Sequence, residues 1–248
     1  MAGSWGFCAG RAKEGLRRRF FLRFFLTCEH ASNEIPLSYA SLFAGRASLL
    51  KSHRGWDPGA LPLARLLALG LRAPLFTGGH SRLLVDLNRT EDHRDVFSEI
   101  TRSLSGTERE KLLAQFHRPH WKKVYAELAR RKNVIHVGVH SFTPVFHGHK
   151  RSTGIGLLYD PAQPAEEIYC RALQATLRKL LNVPVHRNLP YRGTGNGLIH
   201  SLRGKKLPGY VGVELEVNNH LAQNKAYAKA LGLVLAAAMR DAAKTLSS

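Results

Sequence analysis

Short strand-like apolar runs alternate with longer stretches of helical period along almost the whole chain, and this alternation restricts the fold more than any other feature. The apolar runs fall at residues 20–27, 73–77, 82–87, 134–139, 154–159 and 209–217. Between them, residues 61–71 repeat Leu and Ala at steps of three and four, and Pro58 after Asp57 suits a helix start. Residues 107–131 carry acids early and bases late, as the helix dipole favours, although Pro119 should kink or divide that helix. Residues 165–181 and 225–246 complete the helical set, the latter as the closing helix. Alternating strands and helices predict an α/β domain of three layers, α/β/α, with a central mixed, mostly parallel sheet covered on both faces.

With 248 residues and 44% hydrophobic composition, the chain can bury one sizeable core. The expectation is a single domain over residues 20–248, preceded by a basic, disordered extension over residues 1–19. The extension lacks the uninterrupted apolar core of a secretory signal, because Arg23 breaks the run after Phe20, and it is poor in serine for a transit peptide. Apolar stretches at residues 66–71 and 231–239 fall far short of the roughly 20 residues that cross a bilayer, so no membrane partner is expected. Cys8, Cys28 and Cys170 are odd in number and lack metal-motif spacing, which reads as small buried hydrophobes in a reducing, cytoplasmic setting.

The charge balance is lopsided: 37 Lys plus Arg against 18 Asp plus Glu, a formal net charge of +19. Such an excess attracts anions, whether nucleic acid, acidic lipid or a small carboxylate substrate. The bases are spread along the chain except for runs at residues 11–23 and 130–132. No aromatic platform or zinc finger accompanies them, which favours a small carboxylate substrate over nucleic acid.

In α/β folds, ligands bind beyond the carboxyl ends of the strands, and polar residues stand where the apolar runs stop: Glu29 and His30, Asn88 and Arg89, His140 and Ser141, then Asn218. His30 and His140 are the foremost candidates among thirteen histidines, since catalytic zinc commonly takes two imidazoles and a carboxylate. Carboxylate candidates are Glu29, Asp57, Asp86, Glu214 and Glu216. Asp57 precedes Pro58 and reads equally as a helix cap or a ligand. The run Ser81-Arg-Leu-Leu-Val-Asp-Leu-Asn-Arg89 reads as a strand with Arg82 paired to Asp86, leaving Asn88 and Arg89 at its end to grip a substrate carboxylate. Glu214 and Glu216 stand two apart and share one strand face, with Glu216 nearer the strand end and the better general base. His117 and His120 read as a polar helix surface, and Gly193-Thr-Gly-Asn-Gly197 as a mobile loop over a cleft rather than a phosphate loop.

Taken in order, Cys28-Glu-His-Ala-Ser-Asn33, Trp56-Asp-Pro-Gly-Ala60, Ser81 to Arg89, Phe116-His-Arg-Pro119, Val139-His-Ser-Phe-Thr-Pro144 and Glu214-Leu-Glu216 resemble the N-formylglutamate amidohydrolase family over residues 24–221. That family is in turn similar, more distantly, to zinc carboxypeptidases and zinc-dependent peptidoglycan amidases. The resemblance implies one Zn²⁺ with His30 and His140 as ligands, Asn88 and Arg89 as carboxylate binders helped by Arg82, and Glu216 as general base with Glu214 beside it. Carboxypeptidases place a glutamate three residues after the first histidine, where this chain has Asn33, so Asp57 is the expected third ligand and Glu29 the next. The implied reaction splits N-formyl-L-glutamate to formate and glutamate. The rivals are a related amidase or carboxypeptidase-like enzyme acting on another N-acyl amino acid or a cell-wall peptide, and a basic nucleic-acid-binding protein on a hydrolase-like fold. The segment Val217-Asn-Asn-His220 departs from the family, which has an arginine and an acid there.

Overall fold

The computed structural model describes residues 22–246. The basic extension, Cys8 and the first two residues of the expected opening strand lie outside the described residues. The strands are β1 (Arg23–Cys28), β2 (Leu75–Thr77), β3 (Val134–Phe142), β4 (Val145–Phe146), β5 (His149–Lys150), β6 (Ile155–Leu158), β7 (Val185–Arg187) and β8 (Tyr210–Asn218). The α-helices are α1 (Ala47–Lys51), α2 (Ala60–Leu71), α3 (Gly106–Leu112), α4 (Arg118–Ala129), α5 (Pro164–Leu180), α6 (Leu198–Arg203), α7 (Asn219–Gln223) and α8 (Lys225–Ala243).

Six strands form one sheet in the order β2-β1-β3-β8-β6-β7, parallel throughout except where β6 runs antiparallel to β8. The α/β/α sandwich with a mixed, mostly parallel sheet is therefore as expected. Period two assigns the two faces. Phe24, Leu26, Ile135, Val137, Val139, Val211, Val213, Leu215 and Val217 enter one core together with α2, α5 and α8. The alternate positions Phe25 and Val134 pack instead with Val124 and Leu128 of α4 and Leu198 and Leu202 of α6. His136, His140, Glu214 and Glu216 share the parity of that second face, so it is the face that carries polar chemistry.

One expectation needs correction. Residues 82–87 form turns rather than a strand. Leu83, Leu84 and Val85 are buried in a separate cluster with Phe43, Val96 and Phe97. There the backbone is satisfied by side chains, with Ser98 Oγ donating to Leu83 O at 2.6 Å and Ser81 Oγ accepting from Leu83 N at 3.2 Å. A buried loop thus imitates the apolar run of a strand. The sequence also gave no sign of β7 or of the β4–β5 hairpin, both too short for periodicity to register. The helix expected over 107–131 is divided just ahead of Pro119, as that residue led us to expect. A π-turn over Leu113–His117 joins α3 to α4 and places Pro119 in the first turn of α4, where its missing N–H costs little. The start of α3 is a capping box, Ser105 accepting from Glu108 N while the Glu108 side chain accepts from Ser105 N.

Candidate metal centre and active-site cleft

The parallel strands β1, β3 and β8 end on the same side of the sheet, and there the distant candidates meet. His30 follows β1, His140 lies near the end of β3, and Glu216 stands directly across from His140 on β8. Asp57 arrives from the loop before α2. Its backbone N–H bonds His30 O at 3.0 Å, and its carbonyl accepts from Ala60 N at 3.1 Å. The cap residue of α2 is Gly59, at φ 87°, a conformation that frees the Asp57 side chain to face the sheet instead of capping.

One ligand atom each from His30, Asp57 and His140 lies within 4.8 Å of the others, and all three residues are buried. Asp57 Oδ2 stands 2.9 Å from His140 Nδ1 and 3.5 Å from His30 Nδ1. The remaining ring nitrogens face other carboxylates: His30 Nε2 is 2.7 Å from Asp86 Oδ1, and His140 Nε2 is 3.0 Å from Glu29 Oε2. His30 can thus give its Nε2 proton to Asp86 and turn a bare Nδ1 inward, the outer-shell pattern that orients metal-binding histidines, whereas in His140 it is Nδ1 that hydrogen-bonds a carboxylate, Asp57. His30 Nδ1 is buried without any hydrogen-bond partner. Two nitrogens and one carboxylate oxygen are a donor set that suits catalytic zinc, so these residues fit such an ion.

The electrostatics of the cluster favour positive charge at its centre. Burial disfavours a charged His140, yet the hydrogen bonds and charges of Asp57 and Glu29 outweigh it and push its pKa well up. Burial likewise opposes ionisation of Glu29, but His140 holds its pKa down at about 2. Glu29 is therefore an anion behind His140 and does not belong to the converging trio. Arg82 was expected to pair with Asp86. Instead its Nη2 lies 3.2 Å from Asp57 Oδ1, while Asp86 serves His30 and accepts from Asn88 N at 2.8 Å.

A cavity of about 390 Å³ opens over the trio, and Arg82, Asn88, Arg89, Glu214 and Glu216 line it as well. Burial, with the nearby charges of Asp57 and Glu214, raises the pKa of Glu216, and its Oε2 has no hydrogen-bond partner. Asn88 Nδ2 donates to Glu214 Oε1 at 3.4 Å, and Asn88 Oδ1 accepts from Leu198 N at 2.9 Å. Arg89 donates from Nη1 to Asn196 O at 2.6 Å. A Cβ on Gly197 would sit 2.8 Å from Asn88 Oδ1, which explains glycine at the end of the 193–197 loop. That loop does line the cleft, through Gly195 and Asn196.

His117 and Trp121, which sequence reasoning left out of the site, underpin it. His117 is buried rather than part of a polar helix surface. Its Nε2 donates to Arg89 O at 2.7 Å, and Trp121 Nε1 donates to Leu87 O at 2.8 Å. The spacing of four residues between them, which puts both on one helix face, was the available signal. Tyr191 and Arg192 also line the cleft and were not singled out by sequence.

Comparisons with known proteins bear on the family and the fold. The model of the N-formylglutamate amidohydrolase family matches residues 22–222. The crystal structure of a gene product from Agrobacterium tumefaciens superposes with a TM-score of 0.78 at 33% sequence identity, covering 91% of this chain and 92% of that one. Among curated proteins, a sequence comparison finds no match.

Proposed function

Because the chain belongs to the N-formylglutamate amidohydrolase family, and so to hydrolases of amide bonds, we propose that it cleaves the N-formyl amide of an acidic amino acid, N-formyl-L-glutamate first, at one Zn²⁺ held by His30, Asp57 and His140. The observation that carries this reading is the convergence of those three buried groups beneath the cavity that also holds the unpartnered carboxylate oxygen of Glu216. When bound, zinc supplies Lewis acidity, polarising a carbonyl and acidifying water. Asp86 fixes the His30 tautomer that exposes Nδ1, and Glu29 holds negative charge beside His140 Nε2. Arg82 steadies Asp57 and adds positive charge to the cavity.

Glu216 takes the proton of the attacking water and returns it to the leaving amine, a role open to a carboxylate with a raised pKa. Glu214, tied to Asn88, lies two residues away on the same face. Asn88 and Arg89 hold the substrate carboxylate and so set the angle at which the amide meets the water. Arg89 has one guanidinium nitrogen anchored to Asn196 O, which leaves its other donors for the substrate.

The test is metal analysis of the wild type beside His30→Ala and His140→Ala, with formate release measured from N-formyl-L-glutamate. One zinc per chain, lost in both variants together with activity, is the expected result. Zinc retained in both variants would overturn the ligand set. Zinc without formate release, but with hydrolysis of another N-acyl amino acid in a substrate panel, would move the substrate while leaving the centre intact.

A further inference from the structure

Arg23, the last base of the N-terminal run, meets the second basic run at the end of the sheet opposite the cleft. Arg23 opens β1, and Arg130, Arg131 and Lys132 form the turn between α4 and β3. Together they line a cavity of about 310 Å³. Arg23 N donates to Asn133 O at 3.1 Å, which joins the two segments. A neighbouring hollow adds Arg72 beside Arg23 and Arg131. From Lys132 to His140 the strand runs about 25 Å at about 3.3 Å per residue, so this patch is separate from the cleft.

Glu127 is the acid that answers these bases, 3.2 Å from Arg130 Nη1 and 2.7 Å from Arg131 Nη1. Arg131 also lies over the Phe25 ring, its guanidinium carbon 5.6 Å from the centroid. Among the described residues, no ion pair or side-chain hydrogen bond engages Arg23, Arg72 or Lys132. Crowded like charges repel one another, and phosphate groups relieve that repulsion while matching the planar fork of arginine.

We propose that Arg23, Arg72, Arg130, Arg131 and Lys132 form a binding surface for the phosphate backbone of nucleic acid, read without regard to base sequence. The hollow favours a strand that brings single phosphates into it over a flat lipid surface. Among the described residues the hollow of Arg130 and Lys132 is lined by no aromatic side chain, and Phe24 enters only the neighbouring one, which points to backbone contacts over base stacking.

The experiment measures binding of a labelled, mixed-sequence single-stranded RNA to the full chain across about 50 to 200 mM salt. Arg130→Gln/Lys132→Gln is compared with Arg65→Gln/Lys229→Gln, which removes the same charge from exposed positions on α2 and α8. Expected for the first pair is binding roughly tenfold weaker at low salt, with the slope of log K against log salt reduced by about 1.4, and for the second pair near-wild-type binding. Equal weakening by both pairs would reduce the effect to net charge and overturn the site. So would RNA binding indifferent to the first pair, no RNA binding, or preference for acidic phospholipid vesicles over RNA. If the first pair melts early, Lys132→Gln alone should show half the slope change, and no change in that variant counts equally against the site.

Discussion

At the scale of single residues, the site is organised by carboxylates that stand behind imidazoles. Asp86 and Glu29 each face the Nε2 of a histidine whose Nδ1 turns toward Asp57. Asp86→Asn should therefore weaken zinc binding by about 10- to 100-fold, since the amide no longer selects the His30 tautomer by charge. Zinc competition with a chromogenic chelator measures this, and unchanged affinity would remove Asp86 from the outer shell. On the substrate side, Arg89→Lys loses the fork that can bind a carboxylate with two parallel bonds. KM for N-formyl-L-glutamate should rise by about tenfold or more with kcat little changed. A fall in kcat at constant KM would mean that Arg89 acts on the transition state instead.

At the scale of elements, the turn segment 81–89 carries Arg82, Asp86, Asn88 and Arg89 but has no ladder to hold it. Its stiffness is borrowed. The π-turn and α4 supply His117 and Trp121 to its carbonyls, and α6 supplies Leu198 N to Asn88. Trp121→Phe keeps an aromatic ring of helix-compatible shape and removes only the Nε1 donor, leaving Leu87 O short of a partner. The cost should be about 1–3 kcal/mol in denaturant unfolding, with a rise in KM because Asn88 and Arg89 lose their footing. Lost stability with unchanged KM would show that the helix supports the fold and not the grip on substrate.

At the scale of the whole molecule, buried histidines link stability to pH. His136 is fully buried between Thr27 and Tyr210, 2.9 and 2.8 Å away, and burial lowers its pKa from 6.5 to about 4. Burial does the same for His80, also to about 4. Above pH 6.5 both are neutral in the folded and unfolded chains. As pH falls from 6.5 toward 4 the unfolded chain takes up protons that the folded chain refuses, so the contribution of these two histidines to stability declines across that window and levels off below it. The loss is about 3 kcal/mol for His136, and His136→Gln should flatten the decline. Urea unfolding at a series of pH values measures both slopes, and parallel slopes in wild type and variant would contradict the argument. No described helix is long and apolar enough to cross a membrane.

The sequence by itself determined the layered α/β architecture, because apolar runs of strand length and helices of matching amphipathic period are local properties that burial rewards wherever they meet. It also marked His30, Asp57, His140, Asn88, Arg89 and Glu216, since polar residues at the ends of buried runs need a reason to be there. Tertiary structure alone decided which carboxylate faces which imidazole. The pairing of Arg82 with Asp57, of Asp86 with His30 and of Glu29 with His140 depends on angles between β1, β3 and the loops beyond them, to which residues far apart in the chain contribute. The turn conformation of residues 82–87 was decided in the same way, by Ser81, Ser98 and the cluster around Phe97, because a buried backbone takes whichever partners are nearest in space rather than nearest in sequence.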